Sequence, residues 1–188
     1  FTATQTDATG STSAFASQVA LELNAPATQA SNLVFTNVDS DQMDVSWTNG
    51  DGTARLVVVK EATAVDSNPL DNSTYTANAV FGSGSQIGTG NYVVYNGTGN
   101  SFTLTGLTPS TTYHVKVFDY GGSAGTERYN TTDALNNPAS QSTIDPFIVT
   151  NTNDAGIGSL RWCIENAIGQ AGVDNITFNI PNTDPGYS

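Results

Sequence analysis

The clearest hydrophobic pattern in the chain is an alternation with period two in its middle third. The apolar positions of this stretch are Phe102, Leu104, Tyr113, Val115 and Val117. Alternation with period two places one face of a segment in a core and the other in solvent, so two strands are predicted. The residues between them, Gly106–Ser110, include a Gly and a Pro, which favour a turn through their backbone φ angles.

Two residues at this turn suggest how it is packed. Leu107 is an apolar plug inside the turn, and Tyr113 follows it closely enough to return its hydroxyl to the turn backbone. This tyrosine corner is typical of immunoglobulin-like sandwiches. Upstream, Met43–Trp47 alternates Met, Val and Trp toward one face, and Arg55–Glu61 predicts a further strand.

Together these segments resemble a fibronectin type III domain. Phe102–Tyr120 is similar to its E strand, E–F turn and F strand, while Met43–Trp47 and Arg55–Glu61 are similar to its B and C strands. The resemblance covers residues 30–144 and implies an all-β fold in which two sheets form an immunoglobulin-like sandwich. Its structural core anchors occur in family order and are Trp47, Leu107 and Tyr113.

The C-strand candidate is followed by a long connection. Its continuous apolar run, Leu56–Val59, predicts either burial on both faces or a face that meets a neighbour. Residues 62–90 are long for a connection between strands, and such segments are usually functional or carry structure of their own. Tyr75, Val80 and Phe81 predict that the segment packs onto the sandwich. It is interpreted as an insertion typical of the family or, alternatively, as a ligand or partner surface.

The chain before the sandwich is predicted to be the tail of a preceding β module. Phe1–Thr6 alternates weakly and stops at a turn, Asp7–Gly10, and alternation resumes over residues 19–23. The pattern is similar to tails that close parallel β-helix domains in large secreted bacterial proteins. Asn24–Ala30 is predicted to be a linker with little to bury. Because the chain begins in the middle of a pattern and without Met, we expect a fragment or a processed piece.

The last segment predicts a strand, a helix and a second strand. Phe147–Thr150 and Asp174–Pro181 have strand character. Ser159 is a candidate N-cap for the helix, and Gly169 and Gly172 are candidate end points. The helical spacing between the strands brings five apolar residues into one stripe, namely Leu160, Cys163, Ile164, Ala167 and Ile168.

This segment resembles the start of a right-handed parallel β-helix in surface proteins of the Cys-Ser-Leu-Arg-Glu-Ala type. The family's Val-Thr-Asn-Thr-Asn-Asp-x-Gly-x-Gly-Ser-Leu-Arg-x-x-Ile pattern is met at residues 149–164, and its Asp-x-Ile-x-Phe strand at 174–178. The chain departs from the name motif at Gly158 and at Trp162-Cys163. The resemblance implies that the helix covers the open end of a β-helix, where a bare edge would recruit other strands. The residues of this helix-cap motif are Gly158, Ser159, Leu160, Arg161, Cys163 and Ile164.

Three domains follow from these patterns. Residues 1–29 are the tail of a β module with a linker, residues 30–144 are the sandwich, and residues 145–188 are the start of a β-helix module. The fold class is therefore all-β, with a C-terminal strand–helix–strand cap.

The composition excludes several classes of partner. The net charge is −12 with five basic residues, which argues against binding to nucleic acid or to anionic membranes. The chain has no apolar run of about 18 residues, so no membrane insertion is expected. The acidity is interpreted as solubility outside a cell or, alternatively, as calcium binding between modules. The single Cys excludes an internal disulfide.

Candidate catalytic chemistry is sparse. His114 is the only His and alternates with core positions, so it is predicted to face solvent. Cys163 lies on the apolar stripe and is predicted to be a buried, inert thiol. No catalytic residue and no zinc site is expected. Three turns group oxygen atoms that are interpreted first as turn hydrogen bonds and second as calcium ligands: Asp39 with Asp41, Asn49 with Asp51, and Asn151 with Asn153 and Asp154.

The resemblances imply a non-catalytic structural or adhesive spacer of a large secreted or cell-surface bacterial protein. Two alternatives stay open: a self-assembling extracellular fibre subunit that uses its unpaired terminal segments, and an accessory module of a secreted carbohydrate-active enzyme. The expected partners are neighbouring modules of the same protein, like subunits and surface glycans. No cofactor is expected, and calcium is the one ion that the acidic turns leave open.

Overall fold

The computed structural model describes residues 3–6, 12–15, 24–168 and 174–187. Within these residues the strands are β1 (Ala3–Thr6), β2 (Thr12–Phe15), β3 (Ser31–Thr36), β4 (Gln42–Thr48), β5 (Ala54–Glu61), β6 (Asn91–Gly97), β7 (Ser101–Thr105), β8 (Thr112–Gly121), β9 (Arg128–Tyr129), β10 (Ala139–Ser142), β11 (Ile148–Val149) and β12 (Thr177–Phe178). The helix of the described chain, α1, is Leu160–Ile168.

Two antiparallel sheets form a sandwich. One sheet has the strand order β3–β4–β7, and the other has the order β10–β8–β5–β6, with β9 paired to the end of β8. The predicted B, C, E and F strands are β4, β5, β7 and β8. The two-sheet, mostly β architecture expected from the alternating patterns is therefore confirmed.

The core lies between the two sheets and is made by alternate residues of their strands. Period-two alternation delivers these side chains to one face of each strand, where burial of each one stabilises the fold by about 1.5–3 kcal/mol. The strand residues that build this core are Met43, Val45, Trp47, Val57, Val59, Leu104, Tyr113, Val115 and Val117.

A second apolar cluster covers the outer face of the β5–β6–β8 sheet. Here Leu56, Val58 and Phe118 point away from the main core and are fully buried. The residues that cover them come largely from the 62–90 insertion, including Tyr75 and Ile87. The apolar run in β5 is therefore buried on both faces, and its outer face is covered by this chain's own insertion.

The same insertion closes one side of the sandwich. The Val93 N–H of β6 donates to the Ser85 carbonyl at 2.8 Å. On the other sheet, the Thr105 N–H of β7 donates to the Ala79 carbonyl at 3.0 Å and the Phe81 N–H donates to the Thr105 carbonyl at 2.9 Å. Because the insertion pairs with an edge strand of each sheet, it satisfies backbone groups that would otherwise be open to other chains.

The C-terminal region has the predicted order of strand, helix and strand. β11 and β12 pair in parallel, and α1 lies between them in the chain. Parallel pairing needs a crossover connection of this kind. Within the described residues 145–168 and 174–187 this parallel pair is present, and the coils of a β-helix are not. The candidate helix end points, Gly169 and Gly172, lie outside the described residues.

The apolar stripe of α1 is only partly buried in the described residues. Cys163 is the buried residue of the helix, whereas Leu160 and Ile164 are each 43% exposed and Ile168 is 79% exposed. Three of the five residues of the predicted stripe are therefore exposed in the described chain. The two short strands supply too little surface to cover more than the Cys163 side of a nine-residue helix.

The N-terminal region contains an antiparallel pair, β1 with β2. The predicted turn at residues 7–10 and the alternation at 19–23 lie outside the described residues. The segment before β3 differs from the expected linker, because Gln29 and Ala30 are buried. These residues are part of the sandwich and have the burial of core positions.

We expect Phe81→Ala to lower the free energy of unfolding of the sandwich by about 2 kcal/mol, because it removes a large apolar side chain at the core. The Phe81 ring packs edge-to-face on Tyr113 and Tyr92, with centroid distances of 5.0 and 5.2 Å. Urea unfolding followed by Trp47 fluorescence in a Trp162→Phe background measures the change. The neighbouring Val80→Ala, at a side chain that is 45% exposed, is the control and should change stability little. Equal effects of the two substitutions would contradict a role for the insertion in the core.

Candidate functional site

The described residues contain no arrangement suited to metal or nucleophilic catalysis. Within them, no group of three or more His, Cys, Asp or Glu side chains is placed to hold a metal ion. His114 is half-buried on β8, opposite Ser140 of β10. Cys163 is fully buried, and burial raises the pKa of its thiol. A raised thiol pKa disfavours the thiolate that acts as a nucleophile.

The oxygen atoms of the three candidate calcium turns take part in internal interactions. The Asp39 carboxylate accepts from the Ser40 N–H at 2.7 Å, and the Asp51 carboxylate accepts from the Thr28 N–H at 2.9 Å. The side-chain oxygen Oδ1 of Asn151 accepts from the Asn153 N–H at 3.1 Å. Asp154 forms an ion pair with the Arg161 guanidinium at 2.9 Å. These contacts favour the turn interpretation of the four residues.

All five cationic side chains of the chain pair with aspartates. The N–O distances range from 2.6 to 3.9 Å, and the pairs are Arg55–Asp119, Lys60–Asp66, Lys116–Asp133, Arg128–Asp71 and Arg161–Asp154. Because each cation is neutralised within the chain, the remaining charge is entirely negative.

The described helix is too short and too polar to cross a bilayer.

The C-terminal pole of the sandwich, defined as the end where β8 begins, is built on the tyrosine corner. The Thr108 N–H donates to the Tyr113 hydroxyl at 2.9 Å, while the Tyr113 ring is fully buried and Leu107 is nearly so. Thr143 closes the pole from the other side: its hydroxyl donates to the Thr108 carbonyl at 2.7 Å and accepts from the Thr111 N–H at 3.0 Å. The corner therefore holds the turn and the chain that leaves β10.

The third core anchor, Trp47, joins the two sheets through its ring. It packs edge-to-face on Tyr95 with ring centroids 5.3 Å apart, and it lies 6.2 Å from the Phe102 ring. The Trp47 indole N–H donates to the Asn49 side-chain oxygen at 2.9 Å. A buried Trp thus contributes apolar area and has its polar atom satisfied.

The N-terminal pole, defined as the opposite end where β8 finishes, contains a buried ion pair. The Arg55 Nε lies 3.0 Å from the Asp119 carboxylate, and neither side chain is exposed by more than 7%. Arg55 also donates to the carbonyls of Gly50, Gly52 and Thr98. Burial raises the pKa of Asp119, although the Arg55 charge acts in the opposite direction. The pair ties two loops to the ends of β5 and β8.

Two buried amide side chains attach the N-terminal segment to this framework. The Gln29 amide donates to the carbonyls of Asn130 and Thr132, and its oxygen accepts from the Asp119 N–H at 2.7 Å. The Asn137 amide donates to the Ala30 carbonyl at 2.8 Å. Its remaining contacts are with Val117 of β8, whose carbonyl accepts and whose N–H donates.

The insertion is anchored to the loop after β8 by Glu127. The Thr74 hydroxyl donates to one Glu127 carboxylate oxygen at 2.5 Å, and the Gly125 N–H donates to the other at 2.9 Å. The hydrogen bond from Thr74 holds the pKa of Glu127 below its ordinary value of 4.5. Next to it, the Tyr129 hydroxyl donates to the Ser73 carbonyl, and burial raises the pKa of Tyr129.

The residues of the helix-cap motif lie at the start of α1. The Ser159 hydroxyl accepts from the Trp162 N–H at 3.2 Å, which is the N-cap geometry. Gly158 has φ +78°, and a Cβ there would lie 2.1 Å from the Thr150 hydroxyl oxygen, so the position requires glycine. Ser159 and Cys163 are fully buried, whereas Leu160, Arg161 and Ile164 of the motif are exposed.

Several residues that organise the poles are not marked by the sequence patterns. Gln29 lies in the predicted linker, and Asn137 and Glu127 lie in segments without periodicity. Two charged residues could have been recognised from the sequence. Arg55 begins an apolar strand and Asp119 lies between two aromatic residues, and an isolated charge in an apolar strand needs a partner. Their pairing depends on the register of β5 with β8, which local patterns do not give.

Comparison with known proteins gives one family and a set of structural neighbours. Residues 28–133, more than half of the chain, match the family model described as purple acid phosphatase, N-terminal domain. No curated protein matches the chain.

The structural neighbours are fibronectin type III domains. One, from human fibronectin type III domain containing protein 3, is 18% identical, with a TM-score of 0.40 over 71% of this chain and 95% of that one. One from the human collagen alpha-1(XX) chain is 19% identical, with a TM-score of 0.38 over 68% of this chain and 92% of that one. The FN5 domain of Drosophila Lar is 14% identical, with a TM-score of 0.36 over 62% of this chain and 95% of that one.

We expect Tyr113→Phe to lower the free energy of unfolding by about 1 kcal/mol, because it leaves the Thr108 N–H without its side-chain partner. Urea unfolding followed by Trp47 fluorescence in the Trp162→Phe background provides the measurement. Tyr187→Phe, at an exposed tyrosine, is the matched control and should have no effect. If Tyr113→Phe also has none, the hydroxyl does not stabilise the corner.

We expect Glu127→Gln to be destabilising by about 1 kcal/mol at pH 7, because a charged acceptor is lost. The folded-state pKa of Glu127 lies below the unfolded value of 4.5. The Glu127 carboxylate therefore adds to the free energy of unfolding above pH 4.5, and this addition disappears as the pH falls through the folded-state pKa. The stability difference between the parent and the variant should therefore shrink in acid. Glu165→Gln on the exposed side of α1 is the control, and a difference that persists unchanged at low pH would contradict the assignment.

Proposed function

The chain belongs to the family of purple acid phosphatase N-terminal domains, and from this premise we propose that it is a non-catalytic spacer that joins neighbouring modules. The observation that carries the proposal is the placement of the two connecting segments. The segment before β3 is fixed at the N-terminal pole, and the segment after β10 leaves from the C-terminal pole. β8 spans the distance between the poles, and its ten residues correspond to about 30 Å.

The domain scheme supports this role. The family match covers the sandwich, and the described elements on either side of it, β1–β2 and β11–α1–β12, are separate β pairs. We take residues 1–29 as the end of a preceding module, residues 30–144 as the spacer, and residues 145–188 as the start of a following one. Parallel pairing of β11 with β12 through a helical crossover is compatible with the first coil of a parallel β-helix.

The surface chemistry supports a location outside the cell, in a secreted or cell-surface protein. All cations are paired internally and the net charge is −12, which favours solubility and disfavours adhesion to nucleic acid. The partners in this proposal are the neighbouring modules of the same protein. In this proposal the spacer carries no cofactor, and the internal hydrogen bonds accepted by Asp39, Asp51 and Asn151 support a structural role for the candidate calcium turns.

A second candidate function is that of an accessory domain beside the catalytic unit of a secreted enzyme. The family match favours it, because the matched family is named for the N-terminal domain of a phosphatase. In this version the flanking module carries the chemistry and the sandwich positions it. Assembly into fibres is a further alternative, which rests on the two short strand pairs at the ends of the described chain.

We expect the purified chain to hydrolyse no phosphomonoester above the buffer rate, with or without added divalent metal, because the described residues offer no cluster of metal ligands. Light scattering should give the mass of a monomer, with and without calcium. Metal-dependent hydrolysis would overturn the non-catalytic assignment, and calcium-dependent growth in mass would favour the fibre. Binding to surface glycans is tested separately on a glycan array.

A further inference from the structure

We propose that residues 143–148 form a fixed joint, which holds the β11–α1–β12 unit at a set orientation relative to the sandwich. The inference deepens the proposed spacer role and rests on it. A spacer with a flexible C-terminal connection only separates the neighbouring modules. A spacer with a rigid C-terminal connection also fixes their relative orientation.

The sandwich side of the joint is tied to two turns, the one between β7 and β8 and the one before β4. Thr143 is 4% exposed, and its hydroxyl and backbone N–H are both bonded within the C-terminal pole. The Ile144 N–H donates to the Asp39 carbonyl at 3.3 Å, and the Ile144 carbonyl accepts from the Ser110 N–H at 3.3 Å. The backbone N–H and carbonyl of Ile144 are therefore both hydrogen-bonded to the sandwich, as backbone groups within a strand would be.

The centre of the joint is restricted by Asp145 and Pro146. The Asp145 carboxylate accepts from the Phe147 N–H at 2.8 Å and forms a turn across the proline. Pro146 is buried and has its φ angle set by its ring, and it restricts the backbone of the residue before it. The backbone dihedral angles around Asp145 and Pro146 are therefore restricted, which limits rotation of the β11–α1–β12 unit about this passage.

The far side of the joint contributes apolar surface. Ile144 and Asp145 share a cavity of about 210 Å³ with residues of the following unit, among them Ile148 and Trp162. The Asp145 charge also lies close enough to Cys163 of α1 to contribute to its raised pKa. Ile144, Ile148 and Trp162 are half-buried at this cavity, so the two sides of the joint share an apolar boundary.

The joint is short, and this is what makes the restriction effective. Thr143 belongs to the sandwich, and Ile148 is already the first residue of β11. A flexible linker needs several residues with free backbone and no partners. The passage here has a proline, a capped turn and bonded residues on both sides, so it lacks the features of such a linker.

The test is a distance distribution between spin labels on the two sides of the joint, measured by pulsed electron paramagnetic resonance. Gln42→Cys on β4 and Glu165→Cys on α1 are exposed attachment points, in a Cys163→Ala background. We expect a single narrow distribution in this parent. The joint variant Asp145→Gly/Pro146→Gly should widen it about twofold, because glycine restores backbone freedom.

The matched control is Ser140→Ala, at an exposed residue of β10 close to the joint in sequence. It should leave the distribution as narrow as in the parent. Circular dichroism shows whether each variant keeps its β content, and Trp47 fluorescence in a Trp162→Phe background reports the sandwich separately. Thr143→Val, which removes the hydroxyl bonds and keeps the shape of the side chain, provides a second perturbation that leaves Asp145 and Pro146 in place.

A broad distribution in the parent would overturn the proposal, as would a joint variant as narrow as the parent or a control that widens equally. None of these outcomes affects the spacer assignment, which depends on the absence of hydrolysis and on the mass in solution. Conversely, phosphatase activity in the purified chain would remove the spacer assignment and leave the measured geometry of the joint unchanged.

Discussion

The sandwich depends on burying both faces of its central strands. β5 and β8 contribute alternate residues to the core between the sheets, and their other residues form a second apolar cluster on the outer face. An antiparallel sheet commonly leaves one face to solvent, and here that face would expose Leu56, Val58 and Phe118. The 62–90 insertion covers these side chains and keeps them out of water.

The insertion also covers the edge strands of both sheets on one side of the molecule. By pairing with β6 and with β7 it joins the two sheets and occupies their backbone groups. Its far loop is held by Glu127, whose carboxylate accepts hydrogen bonds from Thr74 and Gly125. The insertion is therefore held at the edge strands β6 and β7, on the outer face of the β5–β6–β8 sheet and at Glu127, so it is an integral part of the fold. This arrangement supports the interpretation of the insertion as structural and gives no support to a ligand surface.

Polar groups inside the molecule specify how the chain enters and leaves the sandwich. At the N-terminal pole, the Arg55–Asp119 pair and the Gln29 amide fix loops and the incoming segment. At the C-terminal pole, Tyr113 and Thr143 fix the turn and the outgoing segment. Buried polar groups are costly unless they are fully bonded, and in the described residues every buried side-chain nitrogen and oxygen has a partner. The two poles therefore fix the backbone where the chain enters and leaves the sandwich.

The sequence by itself determined the local elements and the fold class. Alternation at Phe102–Tyr120 and Met43–Trp47 indicates strands because a strand places successive side chains on opposite faces, and the Ser159 cap indicates a helix start. Only the tertiary structure decided what covers the outer face of β5, which amides bind the segment around Gln29, and how little of the α1 stripe is buried. These outcomes depend on contacts between residues as far apart as Ala30 and Asn137. Such contacts follow from strand register and from the available neighbours, and a local pattern contains neither.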